Sequence, residues 1–248
     1  MRARGALATK PGNVTFEQAA SAPVAVLTAL QGLRLGAVGG VRNHSGRTVL
    51  INGAAGGVGT FAVQIAKSFG AQVTGVCSTR NIEMVRSIGA DNVIDYTQED
   101  FTQRGQEYDL IFDCVGNHSP SACRRVLNPK GICVLVGDLT GGGAVGMLGR
   151  VAAALVLTRF TSQKLATFLV RPNQEDLTTV RDLMAAGKVI PVIDRRYSLT
   201  EVPEAIRYLQ EKHARGKVVI SVSELPPVRE TNPSSAEPLL RRSSRLAG

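Results

Sequence analysis

The sequence is poor in the residues and patterns that identify several protein classes. It has no tryptophan, and aromatic residues are 4% of its 248 positions. Its 26 glycines follow no three-residue period, which excludes a collagen-like chain. The longest apolar candidate, residues 151–157, is short and follows Arg150, so no run reaches the roughly 20 residues that a bilayer span needs. We therefore expect a globular protein with no membrane partner.

Cysteine is also scarce, and its placement argues against a metal site. The four cysteines form no CxxC pair, and none of the three histidines stands at a zinc-ligand spacing from them. We predict no bound metal and expect reduced, buried thiols. Since no secretory signal is recognisable at the start of the sequence, a cytoplasmic location is expected.

The positive charge of the chain is not concentrated in one place. The net charge is +9, but residues 51–223 hold 19 basic and 16 acidic residues and are nearly balanced. The sequence shows no dense stripe of lysine and arginine with interleaved aromatic residues, which is the pattern of single-stranded nucleic-acid binders. No nucleic-acid partner is expected.

Short apolar runs alternate with helical stretches from residue 48 onward. Strands are predicted at 48–52, 72–77, 92–95, 108–114, 132–137 and 165–170, and then at 190–194 and 217–222. Helices are predicted at 16–35 (with Pro23 at a start or break), 58–69, 82–88, 121–127, 147–157, 175–186 and 201–212. This alternation predicts an α/β fold with a parallel sheet covered on both faces.

The strongest functional signal is a glycine-rich turn between the first strand and the helix after it. It reads Gly53-Ala-Ala-Gly56-Gly57-Val58-Gly59. Glycines let the backbone approach a pyrophosphate, and the helix N-terminus offers free N–H groups and the positive end of its dipole. Glycines also serve ordinary turns, but the strand–loop–helix–strand context favours dinucleotide binding.

The end of the second strand distinguishes between two dinucleotides. NAD sites usually place Asp or Glu there, whereas this chain has Ser78, Thr79 and Arg80, with no acidic residue before Glu83. Hydroxyls and a guanidinium suit a 2′-phosphate, so NADPH is predicted over NADH. The alternative interpretation is an ordinary helix start followed by a surface arginine.

The turns after the fourth and fifth strands are predicted to border the nicotinamide half of the cofactor. Ligands of open parallel sheets bind at the carboxyl ends of the strands. Gly116 and Gly137 lie in these turns and also fit plain tight turns. His118, beside the crevice, is a candidate for a substrate contact. Tyr208 and Lys212 match the YxxxK pair of short-chain dehydrogenases, but we interpret their spacing as an ordinary helical pair.

Four segments of the sequence resemble a known family. NGAAGGVGTFAVQIAKSFGAQV, RSIGADNVIDY, DLIFDCVGN and ARGKVVI are similar to the medium-chain dehydrogenase/reductase superfamily, especially its zinc-independent quinone oxidoreductase (zeta-crystallin-like) branch. The likeness runs over residues 7–222. It implies a doubly wound, six-stranded Rossmann sheet, NADPH as the hydride donor, and a quinone or α,β-unsaturated carbonyl as the acceptor.

The resemblance also implies cofactor contacts, position by position. The pyrophosphate would lie against Gly53, Ala54, Gly56, Gly57 and Val58. The adenosine 2′-phosphate would be surrounded by Ser78, Arg80 and Tyr96. The nicotinamide end would be flanked by Val115, Gly116, Asn117, Val136 and Gly137, with Thr28 reaching towards it from the helix before the first strand.

The sequence departs from the family in lacking most of the N-terminal GroES-like catalytic domain. We predict an interdomain helical segment (1–47), a Rossmann domain (48–172), a remnant of the catalytic domain (173–222) and a disordered tail (223–248). No catalytic residue can be named without that domain. The strands at 190–194 and 217–222 would also lack their normal sheet partners, and unpaired strands invite self-association.

Three functions follow as alternatives. The first is an NADPH-dependent oxidoreductase that passes hydride to a small-molecule quinone or enone, and the family implies a homodimer for it. The second is a catalytically inactive NADP(H)-binding module that arises from a truncated gene or from a wrongly assigned start codon. The third is an interaction protein that acts through its basic N-terminus or its tail.

Overall fold

The computed structural model describes residues 7–36, 44–136, 162–211 and 214–222. The predicted helix at 147–157, Gly137 and the tail at 223–248 lie outside these ranges. The predicted domain boundaries stay a prediction.

The described chain forms a six-stranded parallel sheet with the order β3-β2-β1-β4-β5-β6. Its strands are β1 (Thr48–Asn52), β2 (Gln72–Cys77), β3 (Asn92–Asp95), β4 (Tyr108–Asp113), β5 (Leu127–Leu135) and β6 (Lys164–Thr167). The order reverses direction between β1 and β4, which is where doubly wound sheets open a ligand crevice. The predicted Rossmann fold is confirmed.

The helices lie between the strands and before them. They are α1 (Phe16–Ser21), α2 (Pro23–Gly36), α3 (Gly59–Ser68), α4 (Ile82–Ser87), α5 (Pro120–Arg125), α6 (Gln174–Ala185) and α7 (Val202–Gln210). The predicted break at Pro23 is confirmed, because α1 ends at Ser21, Ala22 caps it, and Pro23 begins α2. No helix within the described ranges is long and apolar enough to cross a membrane.

Helix α2 packs across β4 at two glycines, which sets its direction. A Cβ on Gly36 would lie 2.6 Å from Leu110 Cδ2, and a Cβ on Gly32 would lie 2.4 Å from Phe112 Cε2. Later helix positions thus meet earlier strand positions, and α2 runs antiparallel to β4. Thr28, one turn before Gly32, therefore lies towards the carboxyl end of β4.

Two further strands pair with each other, apart from the main sheet. These are β7 (Ile193–Ser198) and β8 (Lys217–Ser221), which lie parallel. They form a two-stranded sheet of their own, and the expectation that they lack their normal sheet partners stays a prediction.

The predicted strand at 190–194 is also displaced by a few residues, and the reason is Gln64. Its side-chain amide bonds both the N–H and the C=O of Ile190, at 2.7 and 3.0 Å. Pro191 follows with no N–H to offer, so β7 begins only at Ile193, opposite Lys217 of β8.

Candidate functional site

The glycine-rich turn leaves the carboxyl end of β1 in a conformation that only glycine adopts easily. Gly53 has φ +82°, in the left-handed region. Ala54 N–H donates to the Val76 carbonyl of β2 at 3.0 Å, and Gly56 N–H donates to the Gly53 carbonyl at 3.0 Å. The turn is thus held tightly against the sheet.

The same turn forms a cradle with no room for side chains. A Cβ on Gly59, the first residue of α3, would stand 2.0 Å from the Gly53 carbonyl oxygen. Within the described ranges, the N–H groups of Gly57 and Val58 donate to no protein acceptor. A bare turn with unused N–H groups at a helix N-terminus fits the pyrophosphate of a dinucleotide.

A lysine from the end of the chain completes this cradle, and the sequence reasoning missed it. Gly216 N–H donates to the Ala55 carbonyl at 2.8 Å, which fixes the start of β8 on the turn. The Lys217 side chain then lies along Gly57, with Cδ 3.3 Å and Nζ 3.6 Å from where a Cβ on that glycine would be. Burial lowers the pKa of the Lys217 ammonium, and a bound anion would oppose that effect. In the sequence, Lys217 lies in the segment ARGKVVI, which had served only as part of the resemblance to the family.

The predicted 2′-phosphate residues come together at one corner of the sheet. Ser78 and Arg80 lie in the short 3₁₀ turn after β2, where Asn81 Nδ2 donates to Ser78 Oγ at 3.1 Å. Tyr96 follows β3, and its N–H donates to the Cys77 carbonyl at 3.0 Å. Its side chain is 62% exposed, so it is accessible to a ligand beside Ser78.

A carboxylate that the sequence reasoning did not consider lies at this corner. Asp95 ends β3, and Thr79 Oγ1 donates to its Oδ2 at 2.5 Å. Thr97 donates to its Oδ1 through both N–H and hydroxyl, at 3.0 and 2.8 Å. The bond from Thr79, followed by those from Thr97, lowers the pKa of Asp95. Hydrogen bonds from Thr79 and Thr97 therefore stabilise the negative charge of Asp95.

A buried aspartate shapes the turn after β4. Asp113 Oδ1 accepts from the N–H groups of Val115 and Gly116, at 3.0 and 2.9 Å, and from Asn52 Nδ2 at 2.8 Å. The Asn52 amide also donates to Asn117 Oδ1 at 2.9 Å. This network holds three of the five residues predicted to flank the nicotinamide, Val115, Gly116 and Asn117, in one compact turn.

Two other predicted residues lie at the same edge of the sheet. Val136 follows β5, and its N–H donates to the Asp113 carbonyl at 2.8 Å. Thr28 Oγ1 donates to the Val24 carbonyl at 2.7 Å within its own helix, so its hydroxyl oxygen faces a ligand only as an acceptor.

The remaining candidates have structural partners. The His118 ring packs edge-on against Phe101, with centroids 4.6 Å apart, and its Nε2 lies 3.9 Å from Asp100 Oδ1. Tyr208 donates its hydroxyl to Asp194 Oδ2, while Lys212 lies outside the described ranges.

Three of the four thiols are buried as the sequence predicted, and Cys114 is partly exposed. All four cysteines are free, and Cys77, Cys123 and Cys133 are buried. Burial, with a smaller effect of Asp95, raises the pKa of Cys77 to about 11, and burial also raises the pKa of Cys114. Among the described residues, no group of three or more His, Cys, Asp or Glu side chains is arranged to hold a metal ion.

Comparison with known proteins identifies the family. A parallel sheet with a bare glycine turn at its switch point defines a dinucleotide-binding class. The family described as "Zinc-binding dehydrogenase" matches residues 88–220, more than half of the chain. The protein belongs to this family, within the medium-chain dehydrogenase/reductase superfamily, and the predicted resemblance is confirmed.

Individual relatives agree with this assignment. The mitochondrial NAD(P)H oxidoreductase RTN4IP1 of Bos taurus is 37% identical over 231 residues, covering 86% of this chain and 57% of the relative. The chloroplastic NADPH-dependent alkenal/one oxidoreductase of Arabidopsis thaliana is 34% identical over 220 residues, covering 86% of this chain and 49% of the relative. The quinone oxidoreductase of Coxiella burnetii superposes with a TM-score of 0.72 at 30% identity, over 87% of this chain and 64% of the other.

Two facts about these relatives bear on the earlier expectations. The chain spans only about half to two thirds of their length. The first two are mitochondrial and chloroplastic proteins, so the predicted cytoplasmic location is contradicted.

Proposed function

We propose that this chain provides the nucleotide-binding part of an NADPH-dependent oxidoreductase that reduces a quinone or an α,β-unsaturated carbonyl compound. The observation that carries the proposal is the bare turn at Gly53–Gly59 with Lys217 laid along it. The names of the relatives, which are NAD(P)H, alkenal/one and quinone oxidoreductases, support the reaction class.

The pyrophosphate would be held by backbone and by one charged side chain. The N–H groups of Gly57 and Val58 would donate to its oxygens, and Gly53, Ala54 and Gly56 would form the walls of the turn. Lys217 would supply a charge-assisted hydrogen bond from a partly buried position, where such bonds are strong. This contact does not discriminate between NADPH and NADH.

The chain would distinguish NADPH from NADH at the adenosine end of the cofactor. Ser78, Arg80 and Tyr96 would surround the 2′-phosphate, with Arg80 as the fork-shaped donor. Asp95 stays ionised at this corner, because the bonds from the threonines lower its pKa, and the Arg80 guanidinium would have to outweigh its repulsion of the phosphate. This arrangement supports NADPH over NADH.

The nicotinamide end would be positioned by the turns after β4 and β5. Asp113 holds Val115 and Gly116, and Asn117 is fixed through Asn52. A bound nicotinamide supplies the hydride, and the chain's own role is to orient the ring and to exclude water from one of its faces. Val115 and Val136 would provide that apolar surface. The Thr28 hydroxyl would accept a hydrogen bond from the nicotinamide end of the cofactor.

The proposal is tested first by binding and then by turnover. Calorimetric titration of the chain with NADPH and, in parallel, with NADH should show binding that favours NADPH. NADPH oxidation is then followed with a benzoquinone and with a short-chain enone as acceptors. Binding without turnover would support the alternative of an inactive NADP(H)-binding module. No binding of either dinucleotide would contradict both.

Substitution of Arg80 tests the cofactor preference. Arg80→Ala should weaken NADPH about 10-fold and leave NADH nearly unchanged, because one charged hydrogen bond is worth about 1.5 kcal/mol. Dissociation constants of both dinucleotides give the result. Arg86→Ala is the matched control, since Arg86 is an exposed arginine one helix further on that pairs with Glu83. Equal losses for NADPH and NADH would refute the 2′-phosphate assignment.

A further inference from the structure

Asp113 connects the two turns that are proposed to flank the nicotinamide. It ends β4, one of the two strands between which the sheet order reverses, and its exposed fraction is 0%. Its carboxylate accepts from the N–H groups of Val115 and Gly116 after β4. Its backbone carbonyl accepts from the N–H of Val136 after β5 at 2.8 Å. The nicotinamide end of the proposed site is therefore built around this one buried residue.

The hydrogen bonds of the Asp113 carboxylate are unevenly divided between its two oxygens. Oδ1 accepts all of them, from the two backbone N–H groups and from Asn52 Nδ2. Oδ2 is buried and has no hydrogen-bond partner in the part of the chain that the structure describes. An ionised carboxylate only accepts hydrogen bonds, whereas a carboxylic acid also needs an acceptor for its proton. The contacts of Asp113 are those of the ionised form.

No cation balances this charge within the described ranges. All ion pairs found there join other groups. The donors to Asp113 are two backbone N–H groups and one amide, and all of them are neutral. A charge in the protein interior acts more strongly on its surroundings than one in water, because the effective dielectric constant is lower.

The charge of the nicotinamide ring changes in the proposed reaction. A hydride, which is one proton with two electrons, passes from NADPH to the quinone or enone, and the reduced acceptor takes up one further proton from the solvent. The ring is neutral before this transfer and positive after it, while the phosphates keep their charges. A fixed negative charge beneath the turns that flank the ring therefore attracts the oxidised cofactor more than the reduced one.

We infer that Asp113 tunes the redox potential of the bound cofactor: its buried charge favours NADP⁺ over NADPH and thereby favours donation of the hydride. The inference rests on the proposed function and deepens it, because the nicotinamide end then has an electrostatic role besides that of orienting the ring. Asp113 acts through its charge and is itself covered by the turns that it holds.

The test compares the dissociation constants of NADP⁺ and NADPH, measured by calorimetry on the full chain. The two molecules share every phosphate, so the ratio of their constants reports on the nicotinamide end. Asp113→Asn should weaken NADP⁺ about 10-fold and change NADPH by less than about 2-fold. For a two-electron couple, this raises the potential of the bound cofactor by about 30 mV.

Asparagine is the appropriate replacement because of how the hydrogen bonds are divided. It keeps an oxygen in the place of Oδ1, which accepts all the bonds, and changes only Oδ2, which has no partner among the described residues. If Asp113 only supported the turn, the substitution would change the affinities for NADP⁺ and NADPH by the same factor.

Asp109→Asn is the matched control. Asp109 is the other aspartate of β4 and lies four residues earlier, about 13 Å away towards the opposite end of the strand. Its carboxylate accepts from Thr48 and Asn128. The same change of charge at this position should leave the ratio of the two dissociation constants unaltered.

The possible results separate this inference from the proposed function. If the unsubstituted chain binds no nicotinamide dinucleotide in either redox state, the proposed function fails and the inference fails with it. If it binds them and Asp113→Asn changes both constants equally, the inference is overturned while the proposed function stands. The ratio for NAD⁺ and NADH should shift by the same factor, because the 2′-phosphate takes no part in the effect.

The unsubstituted chain gives a second check, which does not depend on the folding of a variant. It should bind NADP⁺ about 10-fold more tightly than NADPH. Equal affinities, or tighter binding of NADPH, would contradict a buried negative charge that acts on the ring.

Discussion

Gly59→Ala should abolish detectable dinucleotide binding, with a loss of about 100-fold or more for NADPH and NADH alike. The added Cβ would stand 2.0 Å from the Gly53 carbonyl oxygen, and this obstacle is backbone that cannot rotate away. The turn would have to open. The N–H groups of Gly57 and Val58 could then no longer donate together to one pyrophosphate. Overpacking of this kind also costs about 3 kcal/mol in the free energy of unfolding. Calorimetry and urea unfolding measure the two effects.

Gly12→Ala is the matched control for this substitution. Nothing lies within 4 Å of the position that a Cβ on Gly12 would take, so the same chemical change should leave both binding and stability within about 0.5 kcal/mol of the original. Full binding by Gly59→Ala would mean that the glycine turn does not hold the pyrophosphate.

Lys217→Met should weaken NADPH and NADH together, by about 30-fold each. The substitution keeps the apolar stem along Gly57 and removes the ammonium, so a charged hydrogen bond worth about 2 kcal/mol is lost. Stability should change little or rise slightly, because a partly buried charge is removed. Titrations with both dinucleotides and a urea unfolding curve give the result.

The control for Lys217 is a lysine in an equivalent position on another strand. Lys164 begins β6 as Lys217 begins β8, but it is exposed and distant from the glycine turn in the sheet order. Lys164→Met should not affect either affinity, and Lys217→Arg should retain most of the binding. A loss confined to NADPH would place Lys217 at the 2′-phosphate rather than at the pyrophosphate.

The parts of the fold that the sequence predicts well are those set by local pattern. β1, β2 and β3 begin and end where predicted, because each is a short apolar run bounded by polar or turn residues. β5 is less well predicted, since it begins at Leu127 rather than 132. After Leu127 its early residues are Asn, Pro, Lys and Gly, and this part of the strand joins the sheet through the pairing of Tyr108 with Leu127. That pairing depends on a distant strand and is invisible in the local pattern.

In the candidate site, too, the sequence predicts what depends on local pattern and misses what depends on contacts between distant segments. Its glycine turn has a local signature, and the residues after β2 and β4 follow from the rule that ligands lie at the carboxyl ends of parallel strands. Lys217 and Asp95 reach the site through contacts between segments far apart in the chain. No spacing rule relates Gly57 to Lys217.

The hydrogen bond from Gly216 to Ala55 has a consequence for how the protein is made. The glycine turn leaves the ribosome early, whereas β8 is among the last described elements to be synthesised. At about 5–20 residues per second, many seconds pass before Lys217 exists to close the cradle. Such a non-local closure is also a slow event in folding. A nascent or prematurely terminated chain without β8 would therefore gain less stabilisation from a bound dinucleotide than a chain that contains Lys217.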